Sequence, residues 1–221
     1  PLDQRRFGAD LSFMGAGYPN RRVAFRQLTR YDFKIWGTEW DNEPLLASHL
    51  QLQGARISPE DCVKIFNASK INVNLHSSIQ TNKLVPGGDF VNPRTFELAA
   101  CGAFQLIDKR KLLPELFDDN ELASFESMEE LLELIPFYLN NPDKRCEMAQ
   151  KAQAKALAQH TYQHRMQTLI DFIALKRPGW PKQRNRYEGF MASLPPTIAG
   201  ETASLLEQLN LPPNVAFEDL I

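Results

Sequence analysis

The chain has 221 residues and a mass of 25.2 kDa, with a composition 43% hydrophobic and 24% charged. That balance excludes a collagen-like chain, a disulfide mini-protein and a mostly disordered chain, and no apolar run reaches the roughly 18 residues of a membrane span. Lys and Arg number 25 against 27 Asp and Glu, for a net charge of −2 and a pI near 6.1, so no general basic field exists to hold nucleic acid.

The length suits one large domain, or a domain of ~150–180 residues with an appendage. The three cysteines, Cys62, Cys101 and Cys146, form no CxxC pair, which points to a reducing, cytoplasmic compartment. Residue 1 is Pro and no signal segment follows it; the expectation is a processed chain or a piece of a longer one.

Asp10–Met14 reads as a buried strand running into the turn-rich loop Gly15-Ala16-Gly17-Tyr18-Pro19-Asn20. Arg21–Arg30 places Val23, Phe25 and Leu28 at helical spacing, and Phe33–Trp36 is a second strand closed by Gly37. An acidic loop with Trp40 and Glu43 follows, then a short strand candidate at Leu50–Leu52. Ser58 caps a helix with Pro59 at its first position, running to about Ser69. Ile71–Leu75 is the next strand, and a polar loop spans His76 to Asn92. Asn92-Pro93 opens a helix that ends near Cys101-Gly102, and Ala103–Asp108 is again a strand. Lys111–Phe117 is a helical turn and Leu122–Phe125 a last strand; Ser127 and Glu130 form a capping box. Asn141-Pro142 caps an Ala-rich helix, and Tyr162, Met166, Leu169, Ile170 and Ile173 stripe the one after it.

Alternating strands and helices predict an α/β fold, a Rossmann-like three-layer domain with a mainly parallel sheet over residues 1–175. Residues 176–221 are Pro-rich, with a helix candidate at Thr202–Gln208, and read as a C-terminal arm. In such sheets ligands bind beyond the carboxyl ends of the strands. Loops 15–22, 37–44, 76–92 and 108–114 leave those ends.

The densest cluster is Gly87-Gly88-Asp89 through Asn92-Pro93-Arg94-Thr95-Phe96-Glu97. A glycine pair admits close approach by a ligand. The first turn of the helix offers free backbone N–H groups and a positive dipole end, both suited to a phosphate. Arg94 adds a forked donor, and Glu97 can accept from two neighbouring hydroxyls, as on a ribose. The alternative is an i, i+3 ion pair between Arg94 and Glu97 on a solvated face.

Asn92 through Gly102 resembles the donor-site helix of GT-B glycosyltransferases, and is most similar to the group typified by the spore maturation protein CgeB. Asp10–Gly15 with Arg21-Arg22 resembles the first strand and loop of that family's carboxy-terminal domain. Val63–Leu75 resembles its helix–strand unit, and His160-Thr161-Tyr162-Gln163-His164-Arg165 its HTYxHR segment. The likeness runs over about residues 9–175. It implies a Rossmann-like half of a GT-B fold that binds a nucleoside diphosphate sugar. Glu97 matches the second acid of the family's E-x7-E pattern, which holds the ribose. Asp89 falls at the first, which contacts the transferred sugar, and is one methylene shorter than the usual Glu. Related retaining enzymes carry an Arg just after the first-strand glycine and a Lys five residues on; here these positions hold Ala16 and Arg21, with Arg22 adjacent.

The resemblance therefore implies Asp89, Arg21 and Arg22 as catalytic residues. Gly15, His76, Asn92, Arg94, Thr95 and Glu97 are the donor-binding set. Charge on the leaving diphosphate would be met by Arg and the helix N-terminus without a metal, and no Asp-x-Asp pair occurs. No cofactor is expected beyond the nucleotide sugar. The partners are that donor, an unidentified acceptor and the family's N-terminal GT-B domain, so the isolated chain is expected not to turn over. Alternatives are a non-catalytic nucleotide-sugar-binding module and a GT-B-type epimerase.

Other candidates carry less. His160 and His164 stand at i, i+4 without HExxH order, which favours packing of the closing helix against the sheet over a metal. His76 lies at a strand's carboxyl end and suits either a ligand or a loop carbonyl. Gly15-Ala16-Gly17 lacks the third glycine of a dinucleotide fingerprint. Cys101 reads as core packing. Lys176, Arg177, Lys182, Arg184 and Arg186 read as a solvated arm that Trp180 and Tyr187 dock.

Overall fold

The computed structural model describes residues 2–178 and 194–208. The chain divides into two compact units, Pro1–His164 and Arg165–Ile221. The first unit opens on a short helix, α1 (Leu2–Phe7), which the sequence reading did not anticipate. Its Phe7 is buried against Trp36, Ile65 and Ala68.

Strands β1 (Ala9–Met14), β2 (Phe33–Trp36), β3 (Ser69–Asn74), β4 (Gln105–Asp108) and β5 (Ala123–Phe125) form one sheet in the order β2-β1-β3-β4-β5. Every pairing is parallel. Helices α2 (Pro19–Phe25), α3 (Pro59–Ala68), α4 (Pro93–Ala100), α5 (Met128–Asn140) and α6 (Pro142–Gln159) complete the unit. The strands are buried on both faces, as in a sheet covered by helices, and β3 and β4 carry buried polar residues among their apolar ones. A main core gathers around Leu11, Phe25, Ile35, Ile71, Leu106 and Phe125. The strand order reverses between β1 and β3, and the crevice beyond their carboxyl ends is where such sheets take ligands.

Local signals account for most boundaries. Ser58 Oγ accepts from the Asp61 N–H at 3.2 Å, with Pro59 at the first helical position. Ser127 Oγ accepts from the Glu130 N–H at 3.1 Å. Glu130 does not complete the box, because its carboxylate takes the Glu126 N–H instead, at 2.7 Å. Asn141 does not cap α6: its amide donates back to the Phe137 carbonyl at 2.7 Å. The strand expected at Leu50–Leu52 is a single bridge, Ile35 to Leu50. Leu52 and Gln53 have φ of 49° and 52°, which turns the chain out of extended geometry.

Helix α7 (Tyr162–Lys176) begins in the last residues of the first unit and continues into the second, and α8 (Pro196–Gln208) lies wholly in the second. No residue of α7 is buried, so the stripe of Tyr162, Met166, Leu169, Ile170 and Ile173 is not part of a core here. α8 begins six residues before the Thr202 expected from the sequence. Trp180, Lys182, Arg184, Arg186 and Tyr187 lie outside the described residues.

Candidate functional site

Three carboxyl ends converge at the switch point. Gly15 closes β1: its N–H donates to the Trp36 carbonyl at 2.9 Å and its carbonyl accepts from Trp40 Nε1 at 3.1 Å. A Cβ on Gly15 would stand 3.0 Å from the Phe13 ring and 3.6 Å from Arg21 Nη1. Arg21 reaches from α2 across the ends of β1 and β3. Its Nε donates to the Leu75 carbonyl at 2.9 Å and its Nη1 to that of Ala16 at 3.0 Å. The guanidinium lies over the Phe13 and Tyr18 rings. Burial lowers its pKa to about 10, opposed by Asp108 and Tyr18 and reinforced by Arg94. Arg21, Asp108 and Arg94 therefore share one electrostatic neighbourhood.

Arg22 turns elsewhere. It donates to the backbone carbonyls of Gly17, Glu39 and Asp41, and so staples the loop after β2. Of the paired arginines, only Arg21 stands at the strand ends.

β3 presents Asn72 and Asn74 inside the sheet. Asn74 Nδ2 donates to Thr95 Oγ1 at 3.1 Å and to Gln105 Oε1 at 2.9 Å, while its Oδ1 accepts from Asn92 Nδ2 at 2.9 Å. Asn92 Oδ1 in turn caps α4, accepting from the Thr95 N–H and Oγ1, each at 3.0 Å. These bonds fix the first turn of α4 to the sheet. They also occupy Thr95, which is fully buried.

His76 is 4% exposed and sits between two partners. Its Nδ1 is 2.6 Å from Asp108 Oδ1, and its Nε2 accepts the Asn92 backbone N–H at 2.9 Å. A backbone N–H can only donate, so Nε2 is the acceptor and Nδ1 carries the proton toward Asp108. Both ring nitrogens are in use. His76 holds the entry to α4 in place, with its ring edge-on to Phe90 at 6.0 Å.

Arg94 and Glu97 lie one turn apart on α4 and pair at 2.8 Å, with 28% and 48% of their side-chain surface exposed. Arg94 also packs over the Phe66 ring at 4.8 Å. Asp89 is exposed on the loop before α4, with no hydrogen bond or ion pair among the described residues. Gly87 and Gly88 have φ of 65° and 118°, a conformation that favours glycine.

Sequence reasoning missed Asp108, Arg110 and Asn20. Asp108 is completely buried and accepts from the His76 N–H at 2.8 Å as well as from its ring. Arg110 meets its other oxygen at 3.3 Å and donates to the carbonyls of Phe90 and Gly87. Asn20, also fully buried, donates to the carbonyls of His76 and Leu84 and accepts from the Ser78 N–H. The one sequence signal was a charged residue closing the strand Gln105–Asp108 directly after Leu106 and Ile107.

His160 Nε2 is 3.0 Å from the Leu116 carbonyl, and its ring packs against those of Phe96 and Phe117. His164 contacts Thr161 Oγ1 at 2.8 Å. No cluster of three metal-ligating side chains occurs among the described residues. Among them, too, no helix is long and apolar enough to cross a membrane. A cavity of about 480 Å³ beside Trp40 and Glu43 includes none of the expected site residues.

Residues 21–171 match the family described as Glycosyl transferase-like. The chain belongs to that family. It is 28% identical over 153 residues to the spore protein CgeB of Bacillus subtilis (strain 168), covering 64% of this chain and 47% of CgeB. Among solved structures it is similar to Anabaena HepE in complex with UDP and glucose, at a TM-score of 0.60 and 13% identity over 79% of this chain and 52% of HepE. It is also similar to sucrose-phosphate synthase from Thermosynechococcus elongatus, at 0.56 and 12% over 80% and 50%. The family domain thus spans about half the length of the relatives it matches. Its fold is that of a GT-B Rossmann-like half.

Proposed function

We propose that this glycosyl transferase-like domain binds a nucleoside diphosphate sugar at the β1–β3 switch point and supplies the leaving-group side of sugar transfer. The observation that carries the reading is the placement of partly buried Arg21 at the strand ends, in the same electrostatic neighbourhood as Arg94 in the fixed first turn of α4. Breaking a sugar–phosphate bond builds negative charge on the departing diphosphate. A guanidinium and a helix N-terminus already held in place stabilise that charge without reorganising. Glu97, half exposed one turn into α4, faces outward where it can exchange its Arg94 partner for the two ribose hydroxyls. Asp89, exposed and without an ion-pair partner among the described residues, follows Gly87 and Gly88 on the loop before α4, and in this reading it meets the transferred sugar. The HepE relative is a complex with UDP, which supports a uridine donor as the first to test.

His76, Asn92 and Thr95 enter this reading as the framework of the donor site, since their polar atoms are already engaged. Arg22 holds the loop after β2 in the same sense. In this reading no metal is required to neutralise the diphosphate. Isothermal calorimetry with UDP, GDP and ADP, each with and without EDTA, tests the assignment. One diphosphate should bind with EDTA making less than a twofold difference. Failure of all three, or binding that EDTA abolishes, contradicts it.

A further inference from the structure

A second cavity, of about 380 Å³, opens against Gly87 and Gly88 of the loop before α4. Its volume lies in the range of small-ligand clefts. Neither Asn92 nor Arg94 lines it; Lys83, Gly88, Lys109, Arg110, Lys111 and Glu126 do. Two of its cations are neutralised in place. Lys109 pairs with Glu126, and Arg110 pairs with Asp108 from behind. Lys83 and Lys111 form no ion pair among the described residues, so the cavity holds an excess of positive charge.

The buried arginine gives this cavity a built character that surface lysines alone lack. Arg110 has 8% of its side-chain surface exposed. Its Nε and Nη1 donate to the Phe90 and Gly87 carbonyls and to Asp108. Its Nη2 has no acceptor among the described residues. That edge lies beside Gly88, where a Cβ would stand 2.8 Å from Nη2, so glycine there leaves the edge uncovered. A fork fixed on one side with unused N–H groups on the other is suited to a phosphate or carboxylate.

We propose that this cavity binds a phosphate or carboxylate group on a second substrate. The group sits against Arg110 Nη2 between Lys83 and Lys111, beside Gly88. Its role as acceptor rests on the donor reading above; the anion site itself does not. The same loop carries Asp89, so an acceptor anchored here would stand beside the residue assigned to the transferred sugar.

The test is a backbone-amide NMR titration of the whole chain with inorganic phosphate, glucose 6-phosphate, glucuronate, UDP and uncharged glucose at constant ionic strength. The amides of Gly87, Gly88 and Lys111 should shift saturably with glucose 6-phosphate and not with glucose. Lys83→Ala with Lys111→Ala should weaken that binding at least tenfold and change UDP affinity less than twofold. Three results overturn the proposal: no anion moves these amides, the double variant binds unchanged, or phosphate moves only the amides of Asn92 and Arg94, which assigns the anion to the donor diphosphate. If UDP fails to bind while glucose 6-phosphate still shifts these amides, the donor reading falls and the anion site stands.

Discussion

Replacing Asp108 separates a framework role from an incidental contact. The carboxylate is completely buried and accepts the His76 N–H at 2.8 Å, the His76 ring at 2.6 Å and Arg110 Nη1 at 3.3 Å. Asp108→Ala leaves two buried histidine donors without their acceptor and removes the one carboxylate paired with the Arg110 guanidinium, which keeps the Phe90 and Gly87 carbonyls. Removing one partner of a buried charged pair costs about 3–5 kcal/mol, and orphaned buried donors cost about 1–3 kcal/mol each. These overlap, so the expected loss is about 4 kcal/mol, not the sum. In a domain of this size that lowers Tm by roughly 8–16 °C. Asp108→Asn keeps one oxygen for His76 and turns an NH2 toward Arg110; its cost should be nearer 2 kcal/mol. Urea unfolding followed by circular dichroism measures both. An Asp108→Ala variant within about 1 kcal/mol of the parent, or less destabilised than Asp108→Asn, would refute the reasoning.

Further outcomes are specific. Arg21→Ala should weaken UDP binding at least tenfold by calorimetry, whereas Arg22→Ala should change it less than threefold and register in thermal stability instead. Gly37 has φ of 118°, and a Cβ there would meet the Gly15 carbonyl oxygen at 2.6 Å; Gly37→Ala should cost at least about 2 kcal/mol of unfolding free energy. Burial raises the pKa of the Cys62 and Cys101 thiols, so each holds less thiolate near pH 8 than an unshifted thiol. Mass-mapped iodoacetamide labelling at that pH should therefore modify exposed Cys146 first, and labelling of Cys62 and Cys101 should rise as pH increases.

Much of the fold was legible because its signals are local. β2 falls on Phe33–Trp36 as read, and Ser58, Asn92 and Ser127 cap helices through the bonds their side chains make. Where a local signal had a competitor, the reading failed: Asn141 has the residue type of a cap, but its amide bonds back to Phe137. Within the site, the α4 cluster was visible because glycines, cap and charges are contiguous. The Asp108–His76–Asn92 chain was not, because its members meet only through the parallel register of β3 with β4. Nor does spacing distinguish Arg21 from Arg22. Adjacent helical residues point about 100° apart, and only the placement of α2 against Leu75 decides which reaches the strand ends.

The central claim is that α4 presents a nucleotide site with Glu97 on the ribose. Calorimetric titration of UDP into the parent chain and into Glu97→Ala tests it most directly. The account predicts saturable binding to the parent and at least a tenfold loss in the variant, about 1.4 kcal/mol, with the unfolding midpoint held. Absence of binding by the parent, or equal affinity in the two proteins, would contradict it.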